Sequence, residues 1–245
     1  MNRILFEKDE IVDGGATFGG VRAEHVLNVL HGEVGQVLKT GEIDGPIGTS
    51  VVTAVAVSPV PSVTVRCSHT ETSLRPWADL VLAPPRPRVM KRLLPQLAAL
   101  GVGRIFLVGA QKVEKDFWGA TLLKPEVHRP LLVDGLMQAG TSILPSLELR
   151  RNFRRFVREE LDAAAAGATR IVAHPYGAAG DADRRTAGGS RLLLAVGPEG
   201  GWTDDEVALF EDHGFTRYSL GARILRTDTA TVALLAQLMK EFAPC

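Results

Sequence analysis

The sequence predicts an α/β protein, a parallel sheet with helices on its faces, preceded by a small β-rich module. Three observations carry that prediction. From Asp79 onward, short apolar runs alternate with stretches of helical period, the order of elements that folds into a parallel sheet. The first seventy residues instead carry short alternating runs parted by glycines. Near the C-terminus the apolar run Arg191–Val196 passes through a glycine-rich turn straight into a helix-capping signal.

In the first part, Gln36–Thr40, Val51–Val57 and Val63–Cys67 read as strands. The last two are parted by the tight connection Ser58-Pro59-Val60-Pro61. A helix is expected from Ala23 to Leu30, stopping before Gly32. These elements suit a small barrel-like module. Ser68–Pro76 is polar and ends in proline, so the boundary falls there, with domains over residues 1–72 and 73–245. Beyond it, Asp79–Ala83 is a strand ended by Pro84-Pro85. Arg88–Leu100 is a helix stopped by Gly101, with Pro95 an awkward interior residue. Arg104–Val108 is a strand and Pro125–Ala139 a helix. Asn152 caps a helix expected to reach Ala166. Arg170–Ala173, Arg191–Val196 and Thr216–Leu220 are further strands. Between the last two, Thr203-Asp204-Asp205-Glu206 is a capping box. The final helix starts at Thr227 or Asp228 and places 230, 234, 235 and 238 on one apolar face.

Composition narrows the function. The chain has 245 residues, 45% hydrophobic and 23% charged, an ordinary globular balance with material for a large core. Lys+Arg and Asp+Glu both number 28, so any hold on phosphate has to come from locally concentrated cations. Cys67 and Cys245 read as free thiols of a reducing compartment. No Cys/His cluster has metal spacing, so no metal is expected. The first ten residues lack a signal peptide's apolar core, and no apolar run reaches a membrane-spanning length of about 18 residues. A cytoplasmic location follows as the expectation, with no membrane partner.

Parallel sheets bind ligands at the carboxyl ends of their strands, which directs attention to three loops. After Val196 comes Gly197-Pro198-Glu199-Gly200-Gly201, where missing side chains let backbone approach a ligand. It is neither a P-loop nor a dinucleotide fingerprint, and a tight turn with no ligand is the plain alternative. After Leu220 comes Gly221-Ala222-Arg223-Ile224-Leu225-Arg226, partly apolar and suited to a flat ring such as adenine. The alternative there is that Ile224 and Leu225 are core residues. After Ala173 comes His174-Pro175-Tyr176-Gly177, with His174 a catalytic or a structural histidine. Two basic clusters stand out: Arg86, Arg88, Lys91 and Arg92, and Arg150, Arg151, Arg154, Arg155 and Arg158. On a helix from Asn152, residues 151, 154, 155 and 158 share a face. That face either holds phosphate or is a solvated one partnered by Glu159 and Glu160.

The run LLLAVGPEGGWTDDEV followed by SLGARILRTDTATVALLAQL resembles the C-terminal signature of the RsmE family. Those are SPOUT-superfamily methyltransferases acting on N3 of a uridine in 16S ribosomal RNA. His25, Val29-Leu30 and Gly35 fit the family's PUA-like barrel, and Leu100-Gly101-Val102 fits its LGV. The resemblance implies a SPOUT-type catalytic domain whose C-terminal segment threads a trefoil knot, which connection rules alone would exclude. It implies S-adenosylmethionine as cofactor, held by Gly197, Pro198, Glu199, Gly200, Gly201, Leu220, Gly221, Ile224, Leu225 and Arg226, and His174 joins these as a cofactor candidate from its place after a strand. It also implies a homodimer. Uracil N3–H is a weak acid that has to lose its proton during transfer, so Arg226 is the candidate for stabilising the anion. Glu199 is the candidate for positioning the cofactor or taking the proton. The RNA-binding candidates are Arg3, His25, Arg86, Arg88, Arg151, Arg154 and Arg155, with ribosomal RNA or the small subunit as partner.

The sequence departs from the family where RNA would bind. His31, Gln96, Ala99, Thr141 and Ile143 stand where the family has charged residues, although Gln138, Gly140, Ser142 and Pro145 match. Two other functions therefore stay open: a knotted methyltransferase for another RNA, and an RNA-binding assembly factor that transfers nothing. A dehydrogenase ranks last for want of its fingerprint.

Overall fold

The computed structural model describes residues 2–57, 59–176 and 191–243. Ser58, Gly177 and Cys245 lie outside the described residues. The chain divides into two compact units. One comprises Met1–Arg75 with Val133–Leu144, the other Pro76–Leu132 with Pro145–Cys245. The boundary suggested by the polar stretch is thus supplemented by a return segment, residues 133–144, which the sequence reading placed wholly in the second domain.

The first unit holds β1 (Ile4–Phe6), β2 (Gly15–Gly19), α1 (Gly20–Asn28), β3 (Val37–Glu42), β4 (Ile47–Ala56) and β5 (Ser62–Glu71). They form one sheet in the order β1-β3-β4-β5-β2. Its inner face follows from strand alternation: Phe6, Phe18, Leu38, Val52, Val63 and Val65 pack with Ala23 and Val26 of α1. β1 and β2, three and five residues long, were not predicted. Arg3, a candidate for RNA, is instead an internal tie. It is only 9% exposed and donates to the carbonyls of Thr40 (2.6 Å), Gly48 (2.8 Å) and Gly140 (3.0 Å). Its guanidinium is taken up by these carbonyls and does not face RNA. His25 is half-buried and its Nε2 is fully covered, so that atom is not presented to a ligand either.

The second unit is built on β6 (Ala78–Leu82), β7 (Val102–Val108), β8 (Ser146–Arg150), β9 (Ala168–Ala173), β10 (Arg191–Val196) and β11 (Thr216–Tyr218). Their order is β11-β9-β10-β6-β7-β8, and every pairing is parallel. Both faces of the central strands are covered, which is why β6 and β10 read as unbroken apolar runs. On one face Val81, Phe106, Leu193 and Ala195 pack against Phe153, Phe156 and Val157 of α4 (Phe153–Glu159) and Val207 and Phe210 of α6 (Asp204–Asp212). On the other, α2 (Pro87–Ala99) packs on β7 and α7 (Thr227–Phe242) packs on β10 and on α2. They bury Met90, Leu93, Leu94 and Leu97, and Leu234, Leu235 and Leu238. The short α5 (Leu161–Ala164) follows α4. α2 runs on through Pro95. The helix expected over 152–166 is interrupted at Glu160, whose φ of −120° leaves the helical region. α3 (Pro125–Ala139) matches its predicted bounds.

Asp79 closes the amino end of this sheet. It is 2% exposed and accepts from Arg104 N (3.0 Å), Arg104 Nη2 (2.6 Å) and Arg191 Nη2 (2.6 Å). One carboxylate therefore ties β6, β7 and β10 together. Among the described residues no helix is long and apolar enough to cross a membrane, and no three His, Cys, Asp or Glu converge on a metal position.

In the first unit Thr40 Oγ1 lies 2.8 Å from His69 Nε2 and 2.5 Å from Ser50 Oγ. Burial holds His69 below the usual histidine value, and Arg3 adds to the depression, although the Glu42 carboxylate opposes it. The fold thus favours neutral imidazole. The stability this contributes is complete above the unfolded-state value of about 6.5 and is lost as pH falls through the folded value. Urea unfolding should show the protein less stable at pH 5 than at pH 8, and His69→Gln should flatten that dependence. An unchanged pH dependence in the variant would contradict the assignment.

Candidate active site

Because all six strands run the same way, residues 174–176 after β9 and the loops after β10 and β11 emerge at one edge. They enclose a pocket of about 440 Å³, within the range of small-molecule sites. The glycine-rich turn after β10 forms one wall. Gly201 N donates to Pro198 O at 2.8 Å, and Gly201 has φ +68°, the left-handed region that favours glycine. A Cβ on Gly197 would come within 2.9 Å of Trp202 N, so the turn closes only on a bare backbone. The turn delivers the chain to α6, whose capping box is present: Glu206 N donates to Thr203 Oγ1 (3.3 Å) and Thr203 N to Glu206 Oε2 (2.9 Å).

The opposite wall is Leu220, Gly221, Arg223, Ile224 and Leu225, with Leu234 of α7 behind. Ile224 is 77% exposed, which excludes the core reading for it. Ser219 locks this loop to its neighbour, its Oγ donating to Pro175 O at 3.1 Å and accepting from Gly221 N at 3.1 Å. His174 lines the pocket, and its Nδ1 accepts from Tyr176 N at 3.2 Å. Every residue assigned to the cofactor lies on the wall except Arg226. That arginine is exposed at the N-cap of α7, its carbonyl accepting from Ala230 N at 2.7 Å. Glu199, also exposed, accepts from Arg86 N at 3.2 Å, so the loops after β6 and β10 are joined. Lys112, Tyr176, Tyr218 and Ser219 also line the pocket. Of these, Lys112 carries no signal in the sequence, because it stands in a loop without a repeating pattern, whereas Tyr176 belongs to the loop named after Ala173 and Tyr218 and Ser219 to the strand expected over Thr216–Leu220.

The two basic clusters fare differently. Arg150 pairs with Glu148 (2.8 Å) and Glu160 (2.6 Å), Arg154 with Asp205 (3.6 Å) and Arg155 with Glu159 (2.9 Å). Arg151 lies over the Trp118 ring, 5.7 Å from its centroid. The second cluster is thus largely the solvated, carboxylate-partnered face. In the first, Arg86 pairs with Glu114 (3.0 Å) and Arg92 with Asp228 (3.3 Å). Arg88 and Lys91 are exposed and have no carboxylate partner among the described residues.

A parallel α/β unit with a glycine-walled pocket at its carboxyl edge is the setting of a small-ligand site. The class is that of the RNA methyltransferase domain, whose family model matches residues 72–239. Ribosomal RNA small subunit methyltransferase E of Treponema pallidum (strain Nichols) is 30% identical over 242 residues, 98% of this chain and 91% of that protein. The chain belongs to this methyltransferase E (RsmE) family. Two solved structures share the fold. A Legionella pneumophila protein in complex with bound S-adenosylmethionine has TM-score 0.77 and 24% identity, covering 100% of this chain and 99% of that one. Ribosomal RNA small subunit methyltransferase E of Neisseria gonorrhoeae, bound to S-adenosylmethionine, has TM-score 0.75 and 22% identity, covering 99% and 98%.

Gly197 and Gly201, two of the three glycines of the turn, should respond differently to a methyl group. Gly201→Ala imposes only left-handed strain, about 1 kcal/mol, with nothing within 4 Å of the new Cβ. Gly197→Ala drives a Cβ against backbone and should cost about 2 kcal/mol or more. Urea unfolding of both variants checks this, and a larger loss for Gly201→Ala would contradict it.

Proposed function

We propose that this chain transfers the methyl group of S-adenosylmethionine to N3 of a uridine in 16S ribosomal RNA. The observation that carries the proposal is the pocket, whose walls are the residues that the family resemblance assigns to the cofactor. The bare-backbone turn at Gly197, the apolar Ile224 and Leu225, and the 440 Å³ volume fit a ligand with an adenosine and an amino-acid end. Bound there, S-adenosylmethionine supplies a methyl group activated by its sulfonium.

The chain's own residues orient the acceptor and manage its proton. Arg226 stands off the pocket wall with no ion partner among the described residues, which supports a role toward the base over one toward the cofactor. Its guanidinium stabilises the uracil anion as N3–H ionises. Glu199, fixed by Arg86 N, orients the cofactor or accepts the proton. Phosphate contacts fall to the second unit, to Arg88 and Lys91, exposed and carboxylate-free among the described residues, together with Arg223. Residues 1–75 hold six Lys+Arg against nine Asp+Glu, Arg3 is buried and Arg22 pairs with Glu10. The first unit, a PUA-like module on this reading, therefore guides RNA by shape more than by charge. The insertion of β10 between β6 and β9, with α7 returning against α2 and β10, supports a trefoil-knotted C-terminal segment. A homodimer working in the cytoplasm completes the reading.

A second reading keeps the transfer and changes the RNA. In its favour, Thr141 and Ile143 replace two family arginines, and Arg150, Arg154 and Arg155, in the nearest basic cluster that follows in sequence, are ion-paired. Incubation with methyl-tritiated S-adenosylmethionine and small subunits lacking the modification, then nucleoside analysis, separates the two. Labelled 3-methyluridine is expected. Transfer only to another RNA would favour the second reading, and no transfer by cofactor-binding protein would contradict both. Arg226→Ala should lower transfer by about a hundredfold or more and leave cofactor affinity within about threefold. Equal loss of binding and transfer would overturn its role.

A further inference from the structure

The pocket wall carries two cations, Lys112 and Arg223, and two carboxylates, Glu199 and Asp204. Lys112 stands in the loop after β7, and the geometry leaves it little freedom. Gln111 N donates to Glu206 Oε1 at 2.8 Å, and Glu206 is buried at 4% exposure with its other oxygen held by Thr203 N. The backbone beside Lys112 is therefore anchored to the start of α6. The side chain is held as well. Lys112 Nζ donates to Gly200 O at 2.8 Å, and its stem lies so close that a Cβ on Gly200 would come within 2.9 Å of Lys112 Cδ.

An ammonium has three donors, and Gly200 takes one. No carboxylate pairs with Lys112 among the described residues. Two charged donors are thus held at the glycine-turn end of the pocket, on the same wall as the carboxylates of Glu199 and Asp204. The opposite wall offers apolar surface from Ile224, Leu225 and Leu234, beside Arg223. The glycine-turn end matches an amino-acid zwitterion, a carboxylate for a cation and an ammonium for a carboxylate. The apolar surface matches a flat ring.

We propose that Lys112 binds the carboxylate of the cofactor's amino-acid end, so that the glycine-turn end of the pocket reads the zwitterion and the Ile224–Leu225 wall takes the adenine. The proposal rests on S-adenosylmethionine being the cofactor. It also gives the Lys112–Gly200 bond a purpose: it holds the ammonium in place before the ligand arrives, reducing the ordering cost of binding.

Calorimetric titration with two ligands tests it. S-adenosylhomocysteine has the amino-acid end, and 5′-methylthioadenosine lacks it. Lys112→Met should weaken S-adenosylhomocysteine about tenfold, roughly 1.4 kcal/mol, and change methylthioadenosine less than about twofold. Lys112→Arg should recover part of the loss, because it restores a charged donor. Both variants should stay folded, with Lys112→Met costing no more than the worth of the lost bond to Gly200 O. Equal weakening of both ligands would show that Lys112 only supports the turn and would overturn the proposal, as would no weakening of either. A wild-type protein that binds neither ligand would instead remove the cofactor reading, and this proposal with it.

Discussion

The rest of the second unit depends on where β10 pairs. It lies between β6 and β9, parallel to both, with Leu194 opposite Leu80 and Ile171. This strand is the last but one in sequence, yet it sits inside the sheet. Its placement brings the turn at 197–201 next to the loop after β6 on one side and the loop after β9 on the other. Parallel direction then forces all of these loops to a single edge. Without that pairing the glycine turn would still be tight, but it would have no opposing wall.

The two ends of the sheet are held by different forces. At the amino end Asp79 gathers Arg104 and Arg191, and its burial makes that cluster intolerant of losing one partner. At the carboxyl end the ties are individually modest: Lys112 to Gly200 O, Arg86 N to Glu199, and Ser219 between Pro175 and Gly221. Hydrogen bonds of this kind contribute about 1 kcal/mol each. The stable end therefore fixes the register of the strands, and the adjustable end shapes the pocket.

Much of this was legible in the residues. The Thr203–Glu206 box and the Asn152 cap are local chemistry, and both form as read. β6 and β10 announced themselves as apolar runs because both their faces are covered. The misses have physical causes. β8, Ser146–Arg150, is a half-exposed edge strand rich in charge, so its pattern does not stand out. The helix from Asn152 breaks at Glu160, where Arg150 Nε holds the carboxylate at 2.6 Å, a tertiary contact no propensity reports. Arg3 looked like a surface cation because composition records charge and not burial. Lys112 was invisible for the opposite reason: its meaning lies in a contact with Gly200, 88 positions away.

The central claim is that the loops after β9, β10 and β11 form the cofactor site. Hydrogen–deuterium exchange with and without S-adenosylmethionine addresses it at the level of backbone segments. The account predicts that the cofactor slows exchange at 174–176, 197–201 and 219–225, and leaves the strands of the first unit unchanged. Unaltered exchange in those three loops under saturating cofactor, or slowing confined to the first unit, would contradict it.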